Sequence, residues 1–183
     1  MSTVTEPAIA AGSWSIDTVH STVGFAIKHM VVSTYRGQFD SYSGELSVGE
    51  DGNARLSGSV EVDSITVKDE NLAGHLKSPE FFDSAKHPKI SFVSTAVKLG
   101  EDGELVIDGE LTIKEHTHPV TARGTVSGPH VDIAGHDKLG VELEAVIDRR
   151  EYGLTWNAPL PKGGFALDND VKLGVSLELV REA

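Results

Sequence analysis

Three residues of the kind that hold metal ions lie close together in ELTIKEHTHPVTARG, residues 110–124: Glu115, His116 and His118. Imidazole and carboxylate are common zinc ligands, and spacing decides whether they can act together. On a strand, side chains repeat every two residues, so His116 and His118 share a face and Glu115 points away. A structural zinc site takes about four ligands, and a catalytic one about three plus water. Two are in register here. A third would have to come from His29, His75, His87, His130 or His136, and nothing in the spacing ties any of them to the pair. The stretch also joins two apolar, alternating runs, so it reads as a hairpin tip, and no metal or cofactor is expected. The other spacing-defined chemistries are missing too: there is no G-x-S-x-G elbow, H-E-x-x-H helix, phosphate-binding loop or G-x-G-x-x-G fingerprint.

The elements around this tip are mostly strands. Leu105, Ile107, Gly109, Leu111 and Ile113 alternate with mainly polar neighbours. So do Leu139, Val141, Leu143, Ala145 and Ile147, and Val171 to Leu179. Shorter faces run through Val23, Phe25, Ile27 and His29; Leu56 to Val62; Ile90, Phe92 and Ser94; and Val120 to Val126. Strict alternation means strands with one buried and one wet face, the habit of antiparallel sheets. Turn signals fall at GEDGN, LGEDGE, SGPHVDIAGHDKLG and PLPKGGFALDND. Only residues 69–85 look helical: one helix, then a short turn after Pro79. One helix cannot cover a wide open sheet, whereas closure removes the sheet edges without it. The inward faces also carry small residues: Gly58, Ser64, Ser94, Gly109, Ala122, Gly124 and Ala145. Two readings stand: tight packing where strands bend, or a lumen left open for one extended ligand.

The chain of 183 residues suits one domain, expected over residues 13–183 behind a flexible tail at 1–12. A net charge of −12 repels phosphate backbones, so nucleic acid is not an expected partner. Without cysteine there are no disulfides, thiol nucleophiles or iron–sulfur clusters. No apolar run reaches the ~18 residues of a membrane span. The opening MSTVTEPAIAAGSW lacks a signal-peptide pattern, and a cytoplasmic location is expected.

Four ordered motifs resemble one family. WSIDTVHSTVGFAIKHMVVSTYRGQF carries Trp14, D-x-x-H-S at Asp17–Ser21, Phe25, His29 and R-G-x-F at Arg36–Phe39. HLKSPEFFDSAKHPKISF, GELTIKEHTHPV and RREYGL follow in order. Together they resemble the YceI-like family of lipocalin-like, polyisoprenoid-binding proteins over about residues 14 to 180. Glu115 stands where many of those relatives carry glycine, and Leu72-Ala73-Gly74-His75-Leu76 departs from their R-D-x-H-L. The resemblance implies a closed antiparallel lipocalin-like β-barrel that holds a long lipid or isoprenoid, and it implies no reaction.

The expectation is therefore non-covalent binding, storage or transport of a polyisoprenoid, isoprenoid quinone or related lipid in the lumen. Wall candidates are Phe25, Phe39, Leu72, Leu76, Phe81, Phe82, Phe92, Leu111 and Ile113. His29, inward-facing, is a core histidine or a polar contact. Arg36, Arg149 and Arg150 are candidates for an anionic head group, because a guanidinium fork suits such oxygens. A homodimer is compatible with the sequence. Two rivals remain: an isomerase-like barrel enzyme using His29, and a ligand-free, stress-associated structural barrel.

Overall fold

The computed structural model describes residues 9–183, so residues 1–8 of the expected tail lie outside the described residues. Residues 9–12 are joined to the barrel. Ile9 and Ala10 pack on the core, and the Trp14 indole donates to the Ala10 carbonyl (3.1 Å).

Eleven strands form one antiparallel sheet: β1 (Gly12–Ile16), β2 (Thr22–His29), β3 (Ser33–Phe39), β4 (Tyr42–Val48), β5 (Ala54–Glu61), β6 (Ile65–Thr66), β7 (Lys89–Leu99), β8 (Glu104–Ile113), β9 (His116–Val131), β10 (Asp137–Asp148) and β11 (Leu167–Arg181). β1 and β2 pair with β11 one after the other, Trp14 opposite Arg181 and Phe25 opposite Leu173. β4 and β3 continue each other in the same way, as do β5 and β6. These three pairs are long strands broken once, so the sheet is a closed barrel of eight staves in sequential order. The breaks lie side by side and are stitched together. The Tyr42 hydroxyl donates to the Ser21 carbonyl (2.6 Å), and the Asp40 N–H donates to the Ser64 carbonyl (3.2 Å).

The antiparallel order sorts the connections to two ends. Turns 49–53, 100–103 and 132–136 lie at the base. The β2–β3 and β8–β9 tips, the helix α1 (Glu70–Lys77) and the 149–166 connection lie at the mouth. The base is solid: Trp14, Leu46, Ile107, Leu139, Val141 and Leu179 are buried in one cluster. Alternation along β8 follows from this. Leu105, Ile107, Gly109, Leu111 and Ile113 are all buried, as the sequence pattern requires.

Some boundaries move. The helix is shorter than 69–85. Asp69 caps it by accepting from the Leu72 N–H (2.9 Å), and it stops at Lys77, where Ser78 turns extended ahead of Pro79. Residues 79–86 are turns. SGPHVDIAGHDKLG is mostly strand, because β9 runs on to Val131 and only 132–136 turn back. At the Lys114–Glu115 tip it is Lys114 that takes the left-handed φ of +56°.

Candidate functional site

From the mouth a cavity of about 560 Å³ runs down into the barrel, with an almost wholly apolar lining. β11 contributes wall from Leu167 to Leu177. Ten residue steps at ~3.3 Å, tilted by ~40°, give a depth of roughly 25 Å. The nine wall candidates, Phe25, Phe39, Leu72, Leu76, Phe81, Phe82, Phe92, Leu111 and Ile113, line it, and so does His29.

The small inward residues divide between the two readings. Gly58, Ala122 and Ala145 line the cavity. Gly109 and Gly124 serve packing instead: a Cβ on Gly109 would fall 2.3 Å from the Phe92 ring, and one on Gly124 would fall 1.7 Å from the Glu142 carbonyl oxygen. Ser94 uses its hydroxyl to accept from the Leu56 N–H (2.9 Å), and Ser64 bonds within its own turn.

The mouth is narrowed by rings. His75 stands edge-on to both Phe81 and Trp156, each at 4.9 Å between centroids, while Phe82 meets Phe39 at 6.2 Å. Phe81 and Phe82 thus both reach the cavity because they lie in the turn after α1, outside the strand alternation. Trp156, Tyr35, Leu154 and Ile147 also line it and were not singled out from sequence. Ile147 lies on an alternating face that was recognised. Trp156 lies in an irregular stretch, where periodicity carries no signal.

The expected head-group arginines are not gathered at the opening. Arg36 lies on the outer wall beside Gln38 and Lys172. Arg150 is exposed and held by Asp148, which its guanidinium drives down to a pKa of about 2. Arg149 does border the cavity, but it is only 3% exposed, and its guanidinium donates to the carbonyls of Asp168, Leu154 and Trp156. Burial pulls its pKa below the usual arginine value. It holds the mouth loop in place, with no donor directed at the lumen in these three bonds.

His116 and His118 also have a structural explanation. Pairing of β9 with β10 ends at Arg123–Glu144, and beyond it the strands part. The 3-10 turn Arg149–Tyr152 packs against β9 there. His118 Nε2 donates to the Glu151 carbonyl (2.9 Å), and its ring stands edge-on to Tyr152 at 5.1 Å. Burial pushes the Tyr152 phenol up to about 12.

A second polar group lies nearer the base. Asp17 accepts from His20 Nδ1 (3.0 Å) and Lys138 Nζ (3.2 Å), and Lys138 also donates to Glu178 (3.0 Å). Asp17, His20 and Glu178 are close enough to share an ion, but the Lys138 ammonium already sits against both carboxylates. The cluster ties the β1–β2 break to β10 and β11.

Comparison with known proteins settles the lineage. A family model described as the YceI-like domain matches residues 14–179. The chain belongs to the YceI-like family. A UPF0312 protein of Staphylococcus aureus strain USA300 is 32% identical over 172 residues, covering 91% of this chain and 96% of that protein. Among solved structures, Burkholderia cenocepacia BcnA superposes with a TM-score of 0.76 at 19% identity, over 89% of this chain and 98% of that one. A polyisoprenoid binding domain from Saccharophagus degradans, implicated in plant cell wall breakdown, gives 0.67 at 13% identity, over 92% and 98%. At these identities the structures speak for the fold. No helix among the described residues is long and apolar enough to cross a membrane.

Proposed function

We propose that this YceI-like barrel binds a long-chain apolar molecule non-covalently in its lumen, a polyisoprenoid, an isoprenoid quinone or a related lipid, and so stores or carries it. The observation that carries the reading is the cavity itself: about 560 Å³, deep, apolar and open at one end. That volume lies within the ~300–1,000 Å³ of small-molecule sites. Affinity then comes from apolar burial at roughly 25 cal/mol per Å². The similarity to a polyisoprenoid binding domain supports the same ligand class. With Arg36 and Arg150 outside and Arg149 bonded to backbone, a neutral head fits the rim better than an anionic one. The test is mass spectrometry of lipid extracted from protein purified without detergent, followed by titration of stripped protein with isoprenoid, quinone and fatty-acid probes. A co-purifying long-chain lipid, or saturable uptake of one probe, is expected. Clean protein that takes up none of the panel would make this a ligand-free barrel.

A further inference from the structure

Most of the barrel's exterior is polar, but one side of the mouth is not. Met30 (41% exposed), Val31 (72%) and Val32 (83%) form the β2–β3 tip, and Phe165 (59%) stands on the neighbouring hairpin tongue at 158–166. The two loops touch. The Met30 N–H donates to the Ala166 carbonyl (2.8 Å), and Val31 lies beside Gly164. Met30 and Val31 both take left-handed φ values, +51° and +65°. That conformation is strained for a β-branched residue, and here it presents an apolar side chain to water. Met30 also lines the cavity, so the apolar rim and the apolar lumen are continuous.

Charge singles out the same side. The chain has 28 acidic residues, yet none lies in residues 21–39 or 152–167, which hold Lys28, Arg36 and Lys162. The helical segment of the mouth, whose His75 meets Trp156, is by contrast acidic in part, with Asp69, Glu70, Glu80 and Asp83 against Lys68, Lys77 and Lys86. At the base, Val131 and Ile133 are exposed as well, but Asp132 and Asp137 flank them. Among the described residues, exposed apolar side chains fall in acid-free stretches at the 30–32 and 158–166 rim and at Val93, and Val93 has Glu110 directly opposite it on the neighbouring strand. An acidic protein with one apolar, locally basic rim is oriented toward a negatively charged apolar phase.

We propose that this rim docks on an anionic lipid bilayer, with Val31, Val32 and Phe165 entering the headgroup boundary and Lys28 and Lys162 meeting lipid phosphates. The proposal rests on the lumen reading, since a bilayer is where a long-chain ligand dissolves. Docking would let the ligand's tail enter the lumen without crossing water.

Flotation with phosphatidylcholine vesicles, with and without phosphatidylglycerol, tests the surface. A fluorescent long-chain polyprenol, presented either in vesicles or from ethanol, tests the route. The protein should float with the phosphatidylglycerol vesicles and less with phosphatidylcholine alone. The double variant Val31→Asp/Val32→Asp should lose about tenfold or more in vesicle affinity, because apolar insertion and electrostatic attraction both suffer. It should load from vesicles correspondingly slowly and still reach wild-type occupancy from ethanol, which also shows that it is folded. Ile133→Asp at the base should change neither. Equal flotation of the double variant, loss of flotation in Ile133→Asp, or no flotation of the wild type would overturn the proposal. So would a wild-type dimer that Val32→Asp splits, since the rim would then be a contact between copies. Flotation without polyprenol uptake by either route would keep the docking surface and refute the lumen reading instead.

Discussion

Filling the lumen with one ring separates a hollow barrel from a packed one. Ala122 faces the cavity from β9 and Ala145 from β10, on either side of the point where those strands part. Ala145→Phe and Ala122→Phe each place a phenyl group into a space of about 560 Å³. An apolar cavity of ~150 Å³ already accepts a benzene, so volume is ample. Burying half of a phenylalanine's ~200 Å² at ~25 cal/mol per Å² contributes ~2.5 kcal/mol. Ordering the side chain removes ~0.5–1 kcal/mol of that. A net gain of ~1.5–2 kcal/mol raises the melting temperature by ~3–8 °C in a domain of this size. The ring meanwhile takes wall area that a ligand would cover, and each ~1.4 kcal/mol withdrawn weakens binding tenfold. The assay is thermal melting of both variants beside titration with a fluorescent long-chain probe: higher melting with weaker uptake is expected. In a filled core the same ring would cost ~1–3 kcal/mol. Lower melting temperatures for both variants, with uptake unchanged, would refute the hollow lumen at this level.

Arg149→Met should destabilise the protein by ~3 kcal/mol or more, read by denaturant melts, because the carbonyls of Leu154, Trp156 and Asp168 lose their donor. Tyr35→Phe should raise stability by ~1 kcal/mol, since the Tyr35 hydroxyl is buried without a hydrogen-bond partner; a destabilised variant would show that the hydroxyl finds one. Asp17, bonded to His20 and Lys138, is held at a pKa of about 2, so its contribution is present above ~4 and lost as pH falls toward 2. His20 is raised by the same bond, so its contribution is full below ~6.5 and lost as pH rises through the raised folded value. Asp17→Asn should flatten both limbs of the stability–pH curve, and a curve of unchanged shape would remove this cluster from the account.

How legible each element was depended on what its inward residues are. β8 could be read to the residue, because every inward position but Gly109 is a large aliphatic. β3 and β4 escaped because Gly37 and Gly44 interrupt inward faces that otherwise carry Tyr35, Phe39, Tyr42, Leu46 and Val48. Gly37 is required by a neighbour: a Cβ there would lie 2.4 Å from the Phe25 ring, so the aromatic that marks β2 removes the hydrophobic signal from β3. The wall candidates could be found since each sits on an alternating face or within residues 69–85, except Phe39, which the R-G-x-F motif marked. The bonding of Arg149 was hidden for a different reason. Sequence shows a guanidinium and its neighbours in the chain, but its acceptors lie in the 149–166 connection, at Leu154 and Trp156, and at Asp168 on β11, and only the closed barrel brings these together.

The barrel works as two halves with different uses of apolar surface. At the base, large side chains from opposite staves meet, and Trp14 and Leu179 have no exposed surface left. Toward the mouth the same alternation continues, yet Gly58, Ala122 and Ala145 replace some of the large residues, and the walls no longer meet. An empty apolar space forgoes dispersion contacts that a packed core would make. The base cluster and the stitched strand breaks must supply the stability that the hollow half does not. Arg149 then has a clear place: bonded to three backbone carbonyls, it fixes the Leu154–Trp156 segment so that Trp156 can stand against His75 at the rim. A packed base, a hollow upper barrel and a loop pinned from within by one buried cation leave an apolar cavity whose rim is held by hydrogen bonds of the chain itself.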